Sequence, residues 1–352
     1  MSYQKEAKEK FEGLRKKKDV IILAIESSCD ETAVAIVKNG REVLANQVAS
    51  QIEIHRRFGG VVPEVASRNH ITAISNLYVE ALKEAKLNEK DIDAIAVTYG
   101  AGLMGALLVG VNFAKGLAYS LNLPLIAVSH IDGHIAANYI SHNSLKPPFV
   151  CLMISGGHSA LLKIADYTKH KLLGSTVDDA VGESFDKVAR VLNLPYPGGP
   201  EIDNLAKEGQ NNIKFVVSNS LSKTLNFSFS GIKTAVINYV HNKTQKGIDF
   251  NKADVARSFE ESVTDELVKK SINAVNLTKI NKIVVAGGVG ANSNLREKLK
   301  NTCKEKNIEV FYPVLKYCTD NAAMIGSAAY YYILNKKGLA RLDLTACPNV
   351  DL

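Results

Sequence analysis

Several things are scarce or missing in this chain, and each shortage removes a class of protein. Its five cysteines, Cys29, Cys151, Cys303, Cys318 and Cys347, are scattered, odd in number and never spaced C-x-x-C. That excludes a disulfide framework and a zinc knuckle and fits a reducing compartment. No apolar run approaches the roughly 20 residues that a membrane-spanning helix requires. The first 18 residues mix acids with bases and hold no apolar core segment and no small-residue cleavage site. They resemble neither a secretory signal nor a transit peptide, so a cytoplasmic protein with no membrane association is expected.

What is present is ordinary globular composition, 46% hydrophobic and 22% charged over 352 residues. That length exceeds what one hydrophobic core usually organises, so two domains are expected. The formal net charge is +7, of which residues 1–18 hold +4 through Lys5, Lys8, Lys10 and Arg15 to Lys18 against three Glu. The body keeps only +3, so charge alone does not name a nucleic-acid partner. The tail reads as a solvated, partly helical extension.

Val20 to Ile25 is a β-rich apolar run, followed by the polar turn Glu26 to Thr32 and a second apolar run, Ala33 to Val37. This predicts a hairpin with a polar tip. Phe149 to Ile154, Ser155-Gly156-Gly157-His158-Ser159 and Ala160 to Ile164 repeat the design, which predicts an internal duplication. Strand-like Ile92 to Thr98, Pro124 to Ser129 and Lys282 to Ala286 each lead into a helical stretch, the last from about Asn292, as α/β units do. Lys146-Pro147-Pro148 marks the hinge, because two prolines end regular structure. The expected parts are a basic extension over 1–18, an N-terminal domain over 19–146 completed by a helix near 321–336, and a C-terminal domain over 147–320.

Four glycine-bearing loops follow strand-like segments: Tyr99-Gly100-Ala101-Gly102, Ser155-Gly156-Gly157, Tyr196-Pro197-Gly198-Gly199-Pro200 and Gly287-Gly288-Val289-Gly290. Glycine permits close backbone approach and helix N-termini offer free amides to phosphate, so together the loops suggest a nucleotide. Singly, each is an ordinary tight turn. None carries the Walker pattern and none is read as a dinucleotide fingerprint, which disfavours a P-loop or Rossmann enzyme.

His130 and His134 stand at i and i+4, with Ser129 placed to cap their helix, so both imidazoles can reach one metal. The same spacing also suits a structural pair. Asp320 is the candidate third ligand, and its alternative role is to cap the helix that follows. Ile131 rather than glutamate follows His130, so the H-E-x-x-H base of zinc proteases is missing. Two histidines and one carboxylate suit Lewis-acid polarisation of a carbonyl or phosphate instead. Asp30 and Glu31 occupy the first hairpin tip, and Asp179, Glu183 and Asp186 fall at i, i+4 and i+7 on one helical face. These carboxylates serve metal, ribose or amine, or form a solvated acidic face. His55-Arg56-Arg57-Phe58, with Arg68 and His70, is the densest basic and aromatic cluster of the body. It reads as a nucleic-acid surface or, more blandly, as exposed loop charge.

Taken in order, these segments resemble the tRNA N6-adenosine threonylcarbamoyltransferase family, once described as O-sialoglycoprotein endopeptidases. The matching stretches are Ile25 to Thr32, His55 to His70, His130 to His134, Ser155 to His158, Gly182 to Lys187, Tyr196 to Pro200, Phe229 to Lys233, Gly287 to Asn292 and Cys318 to Met324. The resemblance implies an α/β, actin-like ATPase fold akin to sugar kinases, two duplicated domains around a nucleotide cleft. It implies one iron(II) or zinc ion per subunit on His130, His134 and Asp320. It also implies that Met153, Ile154, Ser155, Gly156, Gly157, Asp186, Gly199, Asp203 and Asn292 line a pocket for threonylcarbamoyl-AMP, AMP or ATP.

The implied reaction moves the threonylcarbamoyl group from L-threonylcarbamoyladenylate to the N6 amine of adenosine 37 in tRNAs reading ANN codons, releasing AMP. Asp30 and Glu31 are the candidates for handling the proton, and His55, Arg56, Arg57 and Arg68 for contacting tRNA. Implied partners are a paralogous inactive subunit, a small ATPase and an upstream threonylcarbamoyl-AMP synthase, the bacterial arrangement. One departure is Gly100-Ala101-Gly102, where the family usually has Gly-Pro-Gly; alanine is expected to loosen that loop. The rival readings are an ATP-dependent small-molecule kinase, a metalloprotease and a non-enzymatic scaffold.

Overall fold

The first apolar runs pair as expected: β1 (Ile21–Glu26) and β2 (Glu31–Lys38) are antiparallel, with Ile21 opposite Lys38 and Glu26 opposite Ala33. In the computed structural model, which describes residues 3–215 and 221–350, the chain divides into two units, Met1–Lys146 with Pro313–Leu352, and Pro147–Tyr312. In the first unit β3 (Glu42–Ser50) joins β2, while β4 (Ala94–Gly100) and β5 (Leu125–Ser129) extend the sheet in parallel beyond β1. The strand order is β3-β2-β1-β4-β5.

Strands covered on both faces read as continuous apolar runs, which is why β1 and β4 show no alternation. Leu23, Ile25, Val34, Ile36, Ile95 and Val97 share a core with Ile74 and Ala81 of α3 (Pro63–Ala85) and Val111 and Ala114 of α4 (Met104–Ser120). The opposite face takes α11 (Ala322–Leu334), brought back by the last segment of the chain. A Cβ on Gly326 would lie 2.7 Å from Val37 Cγ2 and 3.3 Å from Ala24 Cβ, so glycine there sets the close approach of helix to sheet.

The N-terminal residues are not a solvated extension. Helix α1 (Tyr3–Leu14) buries Ala7, Phe11 and Leu14, an i, i+4, i+7 stripe hidden among lysines and glutamates. Tyr3 donates its hydroxyl to Leu123 O at 2.9 Å and Lys10 Nζ donates to Asn122 O at 2.7 Å. Burying Phe11 alone is worth about 2 kcal/mol, enough to dock a short helix that charge would otherwise leave in solvent.

In the second unit β6 (Phe149–Ile154), β7 (Ser159–Asp166) and β8 (Lys169–Ser175) are antiparallel neighbours, and β9 (Lys282–Ala286) and β10 (Glu309–Phe311) add in parallel. Read from β8, the order β8-β7-β6-β9-β10 repeats that of the first unit strand for strand. Helix α9 (Lys252–Thr278) packs Phe259, Val263 and Leu267 in one core with Val150, Leu152, Ile154 and Phe185. Asn251 starts this helix by accepting the Ala253 amide, and Lys279 ends it in the left-handed conformation. Among the described residues no helix is long and apolar enough to cross a membrane.

Candidate active site

In the first unit β1, β4 and β5 are parallel, so their carboxyl ends lie at one edge of the sheet, where open α/β sheets bind ligands. Glu26 is the last residue of β1. His130 follows β5 as the first residue of α5 (His130–Ser141), and one turn later comes His134, its ring centroid 4.5 Å from that of His130. Ser129 holds the cap position but makes no side-chain capping hydrogen bond. Asp320 enters just ahead of α11, and its two readings separate here. Asn321, not Asp320, caps α11, its Oδ1 accepting the Met324 amide at 3.0 Å. Asp320 Oδ1 instead lies 3.2 Å from His134 Nε2 and 3.5 Å from His130 Nε2.

One donor atom from each of the three residues falls within 4.8 Å of the other two. His134 is 2% exposed, and neither of its ring nitrogens has a hydrogen-bond partner, although Asp320 Oδ1 approaches Nε2. Buried imidazoles are seldom left unsatisfied, and two imidazole nitrogens with one carboxylate oxygen are a common donor set for a divalent transition metal. The residues fit such an ion.

Behind the histidines stands Glu26, 0% exposed. It accepts hydrogen bonds from the Ser28 amide at 2.5 Å and Thr98 Oγ1 at 2.6 Å, and its Oε2 lies 3.2 Å from His130 Nδ1. Ser28 Oγ is 3.1 Å from the same nitrogen. Burial opposes the charge on Glu26, but His130 outweighs it and keeps the pKa below the usual carboxylate value. Burial likewise opposes a cationic His130, which Asp320 and Glu26 together raise to about 9. Asp320 is held down to about 2, against its own burial, by His130 and His134.

At the first hairpin tip Asp30 and Glu31 are both buried, and Ser50 Oγ donates to Glu31 Oε1 at 2.7 Å. Burial, the charges of Asp30 and Asp320 and a hydrogen bond with Asp30 push Glu31 up to about 9. At neutral pH Glu31 is therefore a neutral acid bonded to Asp30. The tip is buttressed by the loop after β4, where Leu103 donates its amide to Ser28 O at 2.7 Å and Gly102 donates to Pro348 O at 3.1 Å. Gly100, Gly102 and Gly105 do satisfy G-x-G-x-x-G spacing, which the sequence reading passed over, but all three are used in packing. A Cβ at Gly102, where φ is +154°, would meet Ser28 O at 2.5 Å; at Gly100 it would meet Cys347 O at 2.0 Å, and at Gly105 Ser67 Oγ at 2.5 Å.

The basic cluster is split between interior and surface. His55, in α2 (Ile52–Arg56), is fully buried and accepts the Val62 amide at Nδ1, 3.3 Å away. His70 is buried too, with Nδ1 2.7 Å from Thr32 Oγ1 and Nε2 2.9 Å from Cys29 O. Both brace the loop and the hairpin tip, and neither is placed to meet a polyanion. Arg56, Arg57 and Arg68 remain on the surface with Phe58, which is 59% exposed; Arg56 pairs with Glu53 and Arg68 with Glu64.

In the second unit β6 and β9 are parallel neighbours, so the loops at Ser155 and Gly287 leave the same sheet edge side by side. Gly287 has φ +93°, and a Cβ there would lie 2.3 Å from Ile154 O. Met153 and Ile154 are fully buried strand residues whose side chains belong to the core, so only their backbone is available to a ligand. Asp186, in α6 (Val181–Val191), accepts the Gly198 amide at 2.7 Å at the start of α7 (Gly198–Ala206). A Cβ on Gly199 would meet nothing within 4 Å.

Asp203 accepts the Ser293 amide at 3.0 Å and Ser293 Oγ at 2.6 Å. Asn292 caps α10 (Ser293–Glu305) by accepting the Leu295 amide at 2.8 Å, and its Nδ2 donates to Glu260 Oε1 at 2.6 Å. The acidic stretch around Gly182 is not one helical face, because α6 begins only at Val181 and Asp179 precedes it. Asp178 accepts from Ser228, Phe229 and Ser230 at the start of α8 (Ser230–Gln245), and Asp179 pairs with Lys187 and Lys233. Glu26 and Glu260 were missed by sequence reasoning. For Glu26 the signal was a lone carboxylate closing the apolar run from Ile21, whereas Glu260 stands beside Glu261 and Ser262 and nothing local set it apart.

Fold and cluster together define an actin-like ATPase fold that carries a histidine–histidine–aspartate cluster able to hold a metal ion. T. kodakarensis HypF superposes with a TM-score of 0.61 at 15% identity, covering 90% of this chain and 48% of that one. Component A of the (R)-2-hydroxyglutaryl-CoA dehydratase of Acidaminococcus fermentans gives 0.53 at 15% identity, covering 90% and 99%. These likenesses concern the fold alone. In sequence, residues 42–327 match the family described as tRNA N6-adenosine threonylcarbamoyltransferase. Proteins of that name from Clostridium botulinum (strain Hall) and Clostridium perfringens (strain 13) are 58% and 56% identical over 338 and 333 residues, 96% and 94% of this chain and 99% and 98% of theirs. The chain belongs to the tRNA N6-adenosine threonylcarbamoyltransferase family.

Proposed function

We propose that this chain transfers the threonylcarbamoyl group of L-threonylcarbamoyladenylate to the N6 amine of adenosine 37 in ANN-decoding tRNAs and releases AMP. The observation that carries the reading, within that family, is the buried, unsatisfied His134 beside His130 and Asp320. In the transfer the amine nitrogen bonds to the carbamoyl carbon, the bond from that carbon to the phosphate oxygen breaks, and one proton leaves the amine. Asp30 is the proposed acceptor of that proton, and Glu31 holds its position as a neutral donor. The amides of Gly156 and Gly157 and the N-termini of α7 and α10 suit the adenylate phosphate, while the Ser155 amide shapes the turn by donating to His158 O at 2.8 Å. Asp186, Gly199, Asp203 and Asn292 suit its ribose and base. Iron(II) or zinc bound by His130, His134 and Asp320 would supply Lewis-acid polarisation of the carbamoyl carbonyl or of the leaving phosphate.

For tRNA, Arg56, Arg57 and Arg68 offer phosphate contacts and Phe58 a stacking face. We further propose the bacterial partner set, a paralogous inactive subunit, a small ATPase and an upstream threonylcarbamoyl-AMP synthase, acting in the cytoplasm. Exposed Ile71 and Val79 on α3 support a protein-binding surface of that kind. Purified chain given threonylcarbamoyl-AMP and unmodified tRNA, with and without partners, is expected to yield the modified nucleoside by mass spectrometry. No product in any combination, with metal bound, would overturn the proposal. Fast ATP-driven phosphorylation of a sugar would favour a kinase, and glycoprotein cleavage abolished by His130→Ala a protease.

A further inference from the structure

Glu260 lies in the middle of α9 at 1% exposure. It faces Asp203 of α7 and Asn292 at the start of α10, with Arg257 near it on its own helix, while Asn294 turns to the neighbouring Glu261. The nearby cations are engaged elsewhere: Arg257 and Lys298 pair with Glu261, and Lys207 lies 3.4 Å from Asp203. Among the described residues no cation pairs directly with Glu260. Its Oε1 accepts from Asn292 Nδ2 at 2.6 Å, and its carboxyl stands beside that of Asp203, which acts on it directly. Two carboxylates can share a hydrogen bond only if one carries a proton. The carboxamide of Asn292 is thereby fixed at both ends, Oδ1 on the Leu295 amide and one N–H on Glu260, with its second N–H uncommitted.

We propose that Glu260 is a positioning residue for the nucleotide: as a neutral carboxylic acid it donates to Asp203 and accepts from Asn292, fixing both side chains for the adenylate. The inference rests on the adenylate reading of Asp203 and Asn292 given above. Burial, reinforced by the Asp203 charge against the pull of the Asn292 amide, raises Glu260 to about 8. A carboxyl raised in this way contributes stability that is complete below its ordinary value near 4.5 and is lost as the pH climbs through 8. Above that pH two adjacent buried carboxylates repel, and Asp203 and Asn292 lose their common tie.

The test is AMP binding to the full chain by calorimetry between about pH 7 and 9.5, a window above the second ionisation of the AMP phosphate at about pH 6, where it is mostly doubly charged. Wild-type affinity is expected to fall with the protonated fraction, up to roughly thirtyfold at the upper limit. Glu260→Gln supplies one donor and one acceptor in the same places, so it is expected to match wild type at neutral pH and to lose this pH dependence. Glu260→Ala is expected to bind AMP weakly throughout while keeping a cooperative thermal melt. A flat wild-type profile, or a Gln variant as weak as the Ala variant, overturns the inference; if Ala fails to fold, the comparison of wild type with Gln still decides it. AMP that fails to bind any form at any pH overturns the adenylate reading itself.

Discussion

Glu26 in the first unit and Glu260 in the second are both buried in the same duplicated frame, yet their environments settle their charge in opposite ways. Glu26 keeps its charge because α5 sets His130 against it, whereas Glu260 faces a second carboxylate from α7 and keeps a proton. The hairpin tips differ accordingly. Glu26 to Thr32 gathers Asp30 and Glu31 near Asp320, while Ser155 to Ser159 has no carboxylate and leaves the amides of Gly156 and Gly157 outside the turn's own hydrogen bonds. What surrounds the repeated strands, more than the strands themselves, suits one unit to a cation and, on the proposed reading, the other to an anion.

The comparison breaks most visibly if the cation site is not one. His134→Ala is expected to abolish stoichiometric metal, read by elemental analysis after desalting, and to slow transfer by on the order of 10³-fold. Retention of metal would sever the link between His134 and the ion. Next comes the carboxylate pair: Asp30→Asn should lower kcat about 10²-fold, while Glu31→Gln, which keeps the hydrogen bond that neutral Glu31 makes, should cost less than about tenfold. A larger loss for Glu31→Gln than for Asp30→Asn would mean that Glu31, not Asp30, takes the proton. Glu26→Gln should weaken metal binding by about tenfold and Glu26→Ala by nearer 100-fold, measured by competition with a chelator, because His130 loses the partner that orients its ring. The smallest effect lies outside both centres. Arg57→Ala should weaken tRNA binding a few-fold and lower its log–log salt slope by about one.

Much of this was legible in the sequence, and what was not has physical reasons. Hairpins show as apolar runs around polar tips, so β1–β2 and β6–β7 could be read directly, and the proline pair at 147–148 stands where the second unit begins. His130 and His134 were visible as a pair because i, i+4 spacing is local. Asp320 could be named as a candidate but not told from a helix cap, since nothing in a sequence measures the distance between residues nearly 200 positions apart; the resemblance is what favoured the ligand reading. Helix α1 was misread because three apolar residues are diluted among ten charged ones in residues 1–18, and the backbone to which the helix bonds, at Asn122 and Leu123, lies more than 100 positions away. His55 was assigned to a surface from the company it keeps, although its imidazole turns inward to hold the Val62 amide. Sequence proximity to arginines says nothing about which way a ring faces.

Anomalous diffraction at the metal edge, from crystals of protein loaded with iron or zinc, tests the contrast between the two units most directly. The expected result is one peak bonded to His130, His134 and Asp320 at roughly 2.0–2.2 Å, with none beside Glu260 and Asp203. A peak elsewhere, or a saturated protein in which His134 holds no ion, would contradict it.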